Sequence, residues 1–126
     1  SPARRLCALP GWPRRVRAFA TCDWVYFSAI TVWILGDDGR TALQQAVADT
    51  NLLDPDLVMT VGDLVNGYNG QDEWMAQAAE FKAAMAPLRM PWFPVAGNHD
   101  VYWRGEGKPV GEHEGNFEAT FGPLWY

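Results

Sequence analysis

Two stretches decide how this chain reads: Leu57-Val58-Met59-Thr60-Val61-Gly62-Asp63 (residues 57–63), and Trp92-Phe93-Pro94-Val95-Ala96-Gly97-Asn98-His99-Asp100 (residues 92–100). Each begins with a short apolar run that a glycine stops, the pattern of a buried strand and too short for a helix. Each then delivers polar side chains into a loop. Between them, Asp72 is placed to cap a helix over Glu73–Ala86 whose apolar residues Trp74, Met75, Ala78, Phe81 and Met85 share a face. Upstream, Ala42, Leu43, Ala46, Val47 and Thr50 fall at helical spacing, with Asp38 or Thr41 as the cap and an end near Asn51, before Asp54-Pro55. Further back, Val16–Thr21 reads as a short strand and Ile30–Leu35 as a buried one, halted by Gly36-Asp37-Asp38-Gly39. After Asp100 a polar, glycine-rich loop runs from Val101 to Glu114, and a short helix follows over Asn116–Phe121. Strands and helices that alternate with turn-sized gaps make βαβ units around a largely parallel sheet, so the fold class is α/β.

The 126 residues fit one domain, and 48% apolar with 20% charged residues is the balance of a folded globular chain rather than a disordered one. The net charge of −5 is unevenly spread: residues 1–22 hold five Arg and no acid, and the excess of acid begins at Asp23. An acidic body excludes nucleic acid as a structural partner, since such binding draws on Lys and Arg to neutralise phosphates. The basic head reads as a solvated tail. Cys7 and Cys22 fit no zinc spacing and are too few for a disulfide framework. The mostly apolar run Trp24–Leu35 is shorter than the roughly 20 residues a membrane span needs, and no small-residue cleavage site follows it. No membrane span is expected, no signal peptide is recognised, and the compartment stays unassigned.

In α/β sheets, ligands gather at the carboxyl ends of the strands. There the chain places Asp63 after one strand and Asn98, His99 and Asp100 after the next. The glycine before each group allows a sharp turn and a close approach. A carboxylate, a carboxamide and an imidazole meeting at one point form a hard-to-borderline donor set, suited to Mn, Fe, Zn or Mg. Taken singly, Gly-Asp is an ordinary turn and Asn-His-Asp an ordinary capped turn. Their recurrence at consecutive strand ends raises the case for a site to parity with the turn reading.

Gly62-Asp63-Leu64-Val65 followed by Gly97-Asn98-His99-Asp100 resembles the GD-x-x and GNH-[DE] motifs of calcineurin-like metallophosphoesterases, with the same single helix and strand between them. The tail from Asn116 through Phe121-Gly122-Pro123-Leu124-Trp125-Tyr126 is similar to an F-G-P-x-Y-Y element of bacterial members. The resemblance implies part of a four-layer αββα sandwich with mixed sheets and helices on both faces, and a phosphoester substrate. It implies hydrolysis of a phosphomonoester or phosphodiester by a hydroxide that two divalent ions activate. Asp63 would bridge the two metals and Asn98 would be an oxygen ligand of the second. His99, which in the family is not a ligand, would stand near the scissile phosphate, stabilising the transition state or protonating the leaving oxygen, with Asp100 accepting a hydrogen bond from it.

Two parts of the family pattern are absent from this sequence. The opening D-x-H has its nearest counterpart in Cys22-Asp23-Trp24-Val25, which offers Asp23 as a metal ligand but Val25 in place of histidine. The later G-H-x-H has no counterpart; the second histidine, His113, follows too soon and reads as part of a surface loop. These departures give the expectation that residues 37–126 are the N-terminal portion of a domain cut short at Tyr126. Residues 1–36 are then an atypical, foreign or frame-shifted segment. The competing reading is an inactive fragment or pseudo-enzyme acting only as a binding or interaction protein. A calcium loop over Asp63–Glu73 is set aside, because Val65 and Gly67 stand where ligands belong.

Overall fold

The computed structural model describes residues 36–124 in full, and residues 24–27 as backbone only. Three strands, β1 (Trp24–Phe27), β2 (Leu57–Val61) and β3 (Trp92–Val95), form one parallel sheet in the order β1-β2-β3. Val25 lies opposite Val58, and Val58 opposite Trp92. The helices are α1 (Asp37–Leu53), α2 (Gln71–Met85), the single turn α3 (Asn98–Val101) and α4 (Glu114–Phe121). The chain is therefore α/β, with α1 and α2 as the crossovers between neighbouring parallel strands. β2 and β3 lie where the sequence places them. The strands expected at Val16–Thr21 and Ile30–Leu35 fall outside the described residues, and β1 opens the apolar run Trp24–Leu35, whose first residues the sequence reading did not assign to a strand.

Both long helices begin earlier than their side-chain caps suggested. α1 starts after Gly36, whose φ of 57° admits a turn that other residues resist, so Asp37 and Asp38 sit in its first turn against the positive end of the helix dipole. Thr41 is internal, its hydroxyl donating to the Asp37 carbonyl at 2.9 Å. The helix ends at Leu53 because Asp54 adopts the left-handed conformation (φ 51°) ahead of Pro55. α2 starts after Gly70, with Asp72 and Glu73 in its first turn rather than capping it.

The core gathers Leu43 and Val47 from α1, Val58 from β2, Trp74, Ala78, Phe81 and Met85 from α2, and Phe117 from α4. Burying each large side chain of this kind stabilises the fold by about 1.5–3 kcal/mol. Met75, grouped with the core by its spacing, is 41% exposed, because the buried stripe of α2 runs through Gln77 and Ala78 instead. The alternation along β2 separates the two faces of the sheet. Val58 and Thr60 are buried, while Leu57 and Met59 are half-buried and Val61 is exposed. Asn51 ties α1 to the turn after α2, donating to Pro87 O at 2.8 Å and accepting from Arg89 N at 3.0 Å.

His113 is not on a surface loop. It is fully buried, stacked between Trp103 (4.5 Å between ring centroids) and Trp74 (5.3 Å). Its Nε2 lies 2.8 Å from the Asn69 carbonyl, which can only accept, so Nε2 carries the proton and donates. Asn116 Nδ2 then donates to Nδ1 at 2.9 Å. Both nitrogens are used within the fold, which explains why this imidazole can be buried.

Candidate metal centre

The loops after β2 and β3 touch each other. A Cβ added at Gly62 would stand 2.8 Å from the Gly97 Cα, and one added at Gly97 would stand 2.5 Å from the Asp63 backbone nitrogen and strike the Asp63 carboxylate. Glycine is required at both positions for the two strand ends to come this close. Past Gly62, the loop runs around the α3 turn so tightly that a Cβ at Gly67 would lie 2.6 Å from the His99 Cα.

Within this loop Asp63 (φ 56°) and Tyr68 (φ 54°) both hold left-handed backbone conformations, unusual for residues that are not glycine. Both turn their side chains onto α3. Asp63 Oδ1 accepts the His99 backbone N–H at 3.1 Å, and the Tyr68 hydroxyl accepts from Asn98 Nδ2 at 2.9 Å. The donor end of the Asn98 amide is thereby occupied, leaving Oδ1 to act as a ligand. The His99 ring meets the Tyr68 ring edge-on at 4.9 Å, and its Nδ1 makes a short hydrogen bond with the Asn66 carbonyl. A carbonyl only accepts, so Nδ1 carries the proton and Nε2 is the atom left for chemistry.

Asp100 departs from the role expected of it. Its carboxylate does not orient the His99 ring; the Asn66 carbonyl does that. Asp100 is fully buried and holds the two loops together. Leu64 N–H and Val65 N–H donate to Oδ1 at 2.6 and 3.1 Å, and Gly97 N–H, at the N-cap of α3, donates to Oδ2 at 2.7 Å. The Trp74 indole N–H donates to the Asp100 carbonyl at 2.9 Å, fixing the same residue to α2. Burial pushes the carboxyl up to about 6, against the opposing pull of the backbone N–H groups of Gly97, Val65, Leu64 and Asp63.

Of the residues expected to form the site, Asp63, Asn98 and His99 come together, and Asp100 lies beneath them as their tie. Asp23 lies outside the described residues. The remaining donors fit one side of a divalent metal centre: the second carboxylate oxygen of Asp63 and Asn98 Oδ1 are oxygen ligands suited to hard and borderline ions, and His99 Nε2 stands beside them free to handle a proton. Among the described residues no group of three or more His, Cys, Asp or Glu converges on one point, so these donors make a partial coordination shell. Sequence reasoning missed Tyr68 and the Asn66 carbonyl. The Gly67-Tyr68 pair in the loop was the available signal, a glycine next to an aromatic side chain beside the Asp63 motif.

Comparison with known proteins identifies the family of the chain. The family model for calcineurin-like phosphoesterases matches residues 23–125, about four fifths of the chain, and the protein belongs to that family. The match begins inside the segment that the sequence reading set apart as atypical. A "Transmembrane protein with metallophosphoesterase domain" from Danio rerio is 41% identical over 64 residues, covering 51% of this chain and 14% of the relative. The chain thus aligns with only a small part of that longer protein. No solved structure matches. No helix among the described residues is long and apolar enough to cross a membrane.

Proposed function

We propose that this chain forms the front part of a metal-dependent phosphoesterase centre, in which Asp63 and Asn98 hold divalent ions and His99 serves the leaving group. The observation that carries the reading is the convergence of Asp63, Asn98 and His99 at two adjoining strand ends, with an oxygen of Asp63 and of Asn98 and the Nε2 of His99 left over from their internal hydrogen bonds. Bound divalent ions of the Mn, Fe, Zn or Mg class would polarise the phosphoryl group and activate the attacking water. The chain's own contribution is orientation and proton handling. Asp63 is aimed by its bond to the His99 N–H, and Asn98 by Tyr68. His99, with Nδ1 held by the Asn66 carbonyl, presents Nε2, which in the protonated ring can donate to the departing alkoxide oxygen.

Titration of Mn²⁺ into the purified full chain tests the reading. Saturable binding that Asp63→Asn weakens by at least about tenfold is expected, because a ligating carboxylate is lost. Hydrolysis of p-nitrophenyl phosphate should fall in parallel. Absence of Mn²⁺ binding in the unaltered chain would turn the assignment to a non-catalytic binding protein.

A further inference from the structure

Beside the centre lies a cation that the proposed hydrolysis has not used. The Arg104 guanidinium stands over the Tyr68 ring, 5.0 Å from its centroid, and Tyr68 in turn touches both Asn98 and His99. Tyr102, 47% exposed, adds a second ring 6.1 Å from that of Tyr68. The loop that carries Arg104 is anchored: Trp103 stacks on the buried His113, and its backbone N–H donates to Glu112 Oε2 at 2.6 Å. Glu112 is committed to that bond and to Lys108, with which it pairs at 2.7 Å. No carboxylate among the described residues pairs with Arg104; the aromatic face alone positions it.

From this geometry we infer that Arg104 is a substrate-binding residue, taking a non-bridging oxygen of the phosphoryl group presented to His99. The inference rests on the phosphoesterase reading above. The physical case has three parts. An exposed Arg over a tyrosine ring keeps its planar N–H edge available, and that edge matches a phosphate in a bidentate way that an ammonium cannot. The adjoining carboxylate of Asp63 repels an anion, and a fixed cation on the rim offsets that repulsion. Fixing the cation on an anchored loop lowers the ordering cost of engaging the ligand. Tyr68 thereby serves both sides of the site, holding Asn98 by its hydroxyl and Arg104 by its ring.

The test is a titration of inorganic phosphate into the full chain, metal-free and Mn²⁺-loaded, followed by ³¹P line broadening and calorimetry. Arg104→Ala should weaken phosphate binding about tenfold, the loss of one charge-assisted contact. Arg104→Lys should recover part of it, and Mn²⁺ affinity should be the same in all three proteins. Thermal unfolding of each variant checks that the exposed substitution leaves the fold intact. Phosphate affinity in Arg104→Ala equal to that of the unaltered chain would overturn the inference while leaving the metal centre standing. Failure of Mn²⁺ to bind the unaltered chain would instead strike the phosphoesterase reading, and the metal-free phosphate comparison would still decide the role of Arg104.

Discussion

Asp100 concentrates the physics of this protein in one carboxyl group. In the fold its pKa is about 6 against an ordinary value of 3.8, because burial outweighs the N–H groups it accepts. The folded chain therefore holds this proton more tightly than the unfolded chain does. The stability contributed by the protonated form is complete below about pH 4 and is lost as pH rises through 6, a change of about 3 kcal/mol across the window. Asp100→Asn, titration-silent, turns an amide N–H toward a donor it cannot satisfy and should destabilise the metal-free chain by about 1–3 kcal/mol at pH 7. Its cost should be largest near pH 4 and shrink toward pH 7, as urea unfolding at a series of pH values would reveal; a pH-independent cost would contradict the burial argument. The sequence could announce Asp100 as a motif position but not this role. Its partners are backbone N–H groups of Leu64, Val65 and Gly97, which carry no side-chain signature. Asp63, Asn98 and His99 were legible because glycines and strand ends mark where such groups must meet.

At the scale of elements, α4 and its preceding loop are fastened to the site by His113. This histidine stacks on Trp74 and Trp103 and donates to the Asn69 carbonyl in the loop that carries Tyr68. His113→Phe would keep the stacking and remove both hydrogen bonds, leaving Asn69 O without its donor while Asn116 Nδ2 keeps its bond to Gln71 Oε1. We expect a loss of about 1–3 kcal/mol in chemical denaturation. His113→Ala should cost more, through the cavity left between two indoles. The buried stripes of α1 and α2 and the runs of β2 and β3 could be read in advance, since burial imposes periods of 3.6 and 2 on the side chains. His113 could not, because a stack joining α2 to a distant loop leaves no periodic trace. α1 and α2 began early for a related reason: Gly36 and Gly70 supply the entering backbone geometry, and acidic first turns stand in for side-chain caps.

Across the whole molecule, the described helices and sheet form one compact core, and the alternate side chains of β2 and β3 face away from it. Val61 on that face is 52% exposed, with Met59, Phe93 and Val95 half-buried around it. An apolar sheet face of this kind promotes association. Val61→Lys should reduce concentration-dependent self-association in size-exclusion chromatography without changing helix content by circular dichroism. Unchanged association would show that another surface drives it.

The tie at Asp100 also sets an order of events during synthesis. Leu64 and the carboxylate that receives its N–H are separated by 36 residues. At typical elongation rates the ribosome needs about 2–7 s to pass from one to the other. Through that interval the nascent loop bearing Asp63 has neither its carboxylate tie nor the Gly97 backbone against which Gly62 closes. A growing chain therefore holds the Asp63 loop without its partners until β3 and the turn after it have emerged, so the meeting of Asp63, Asn98 and His99 is a late event in its synthesis.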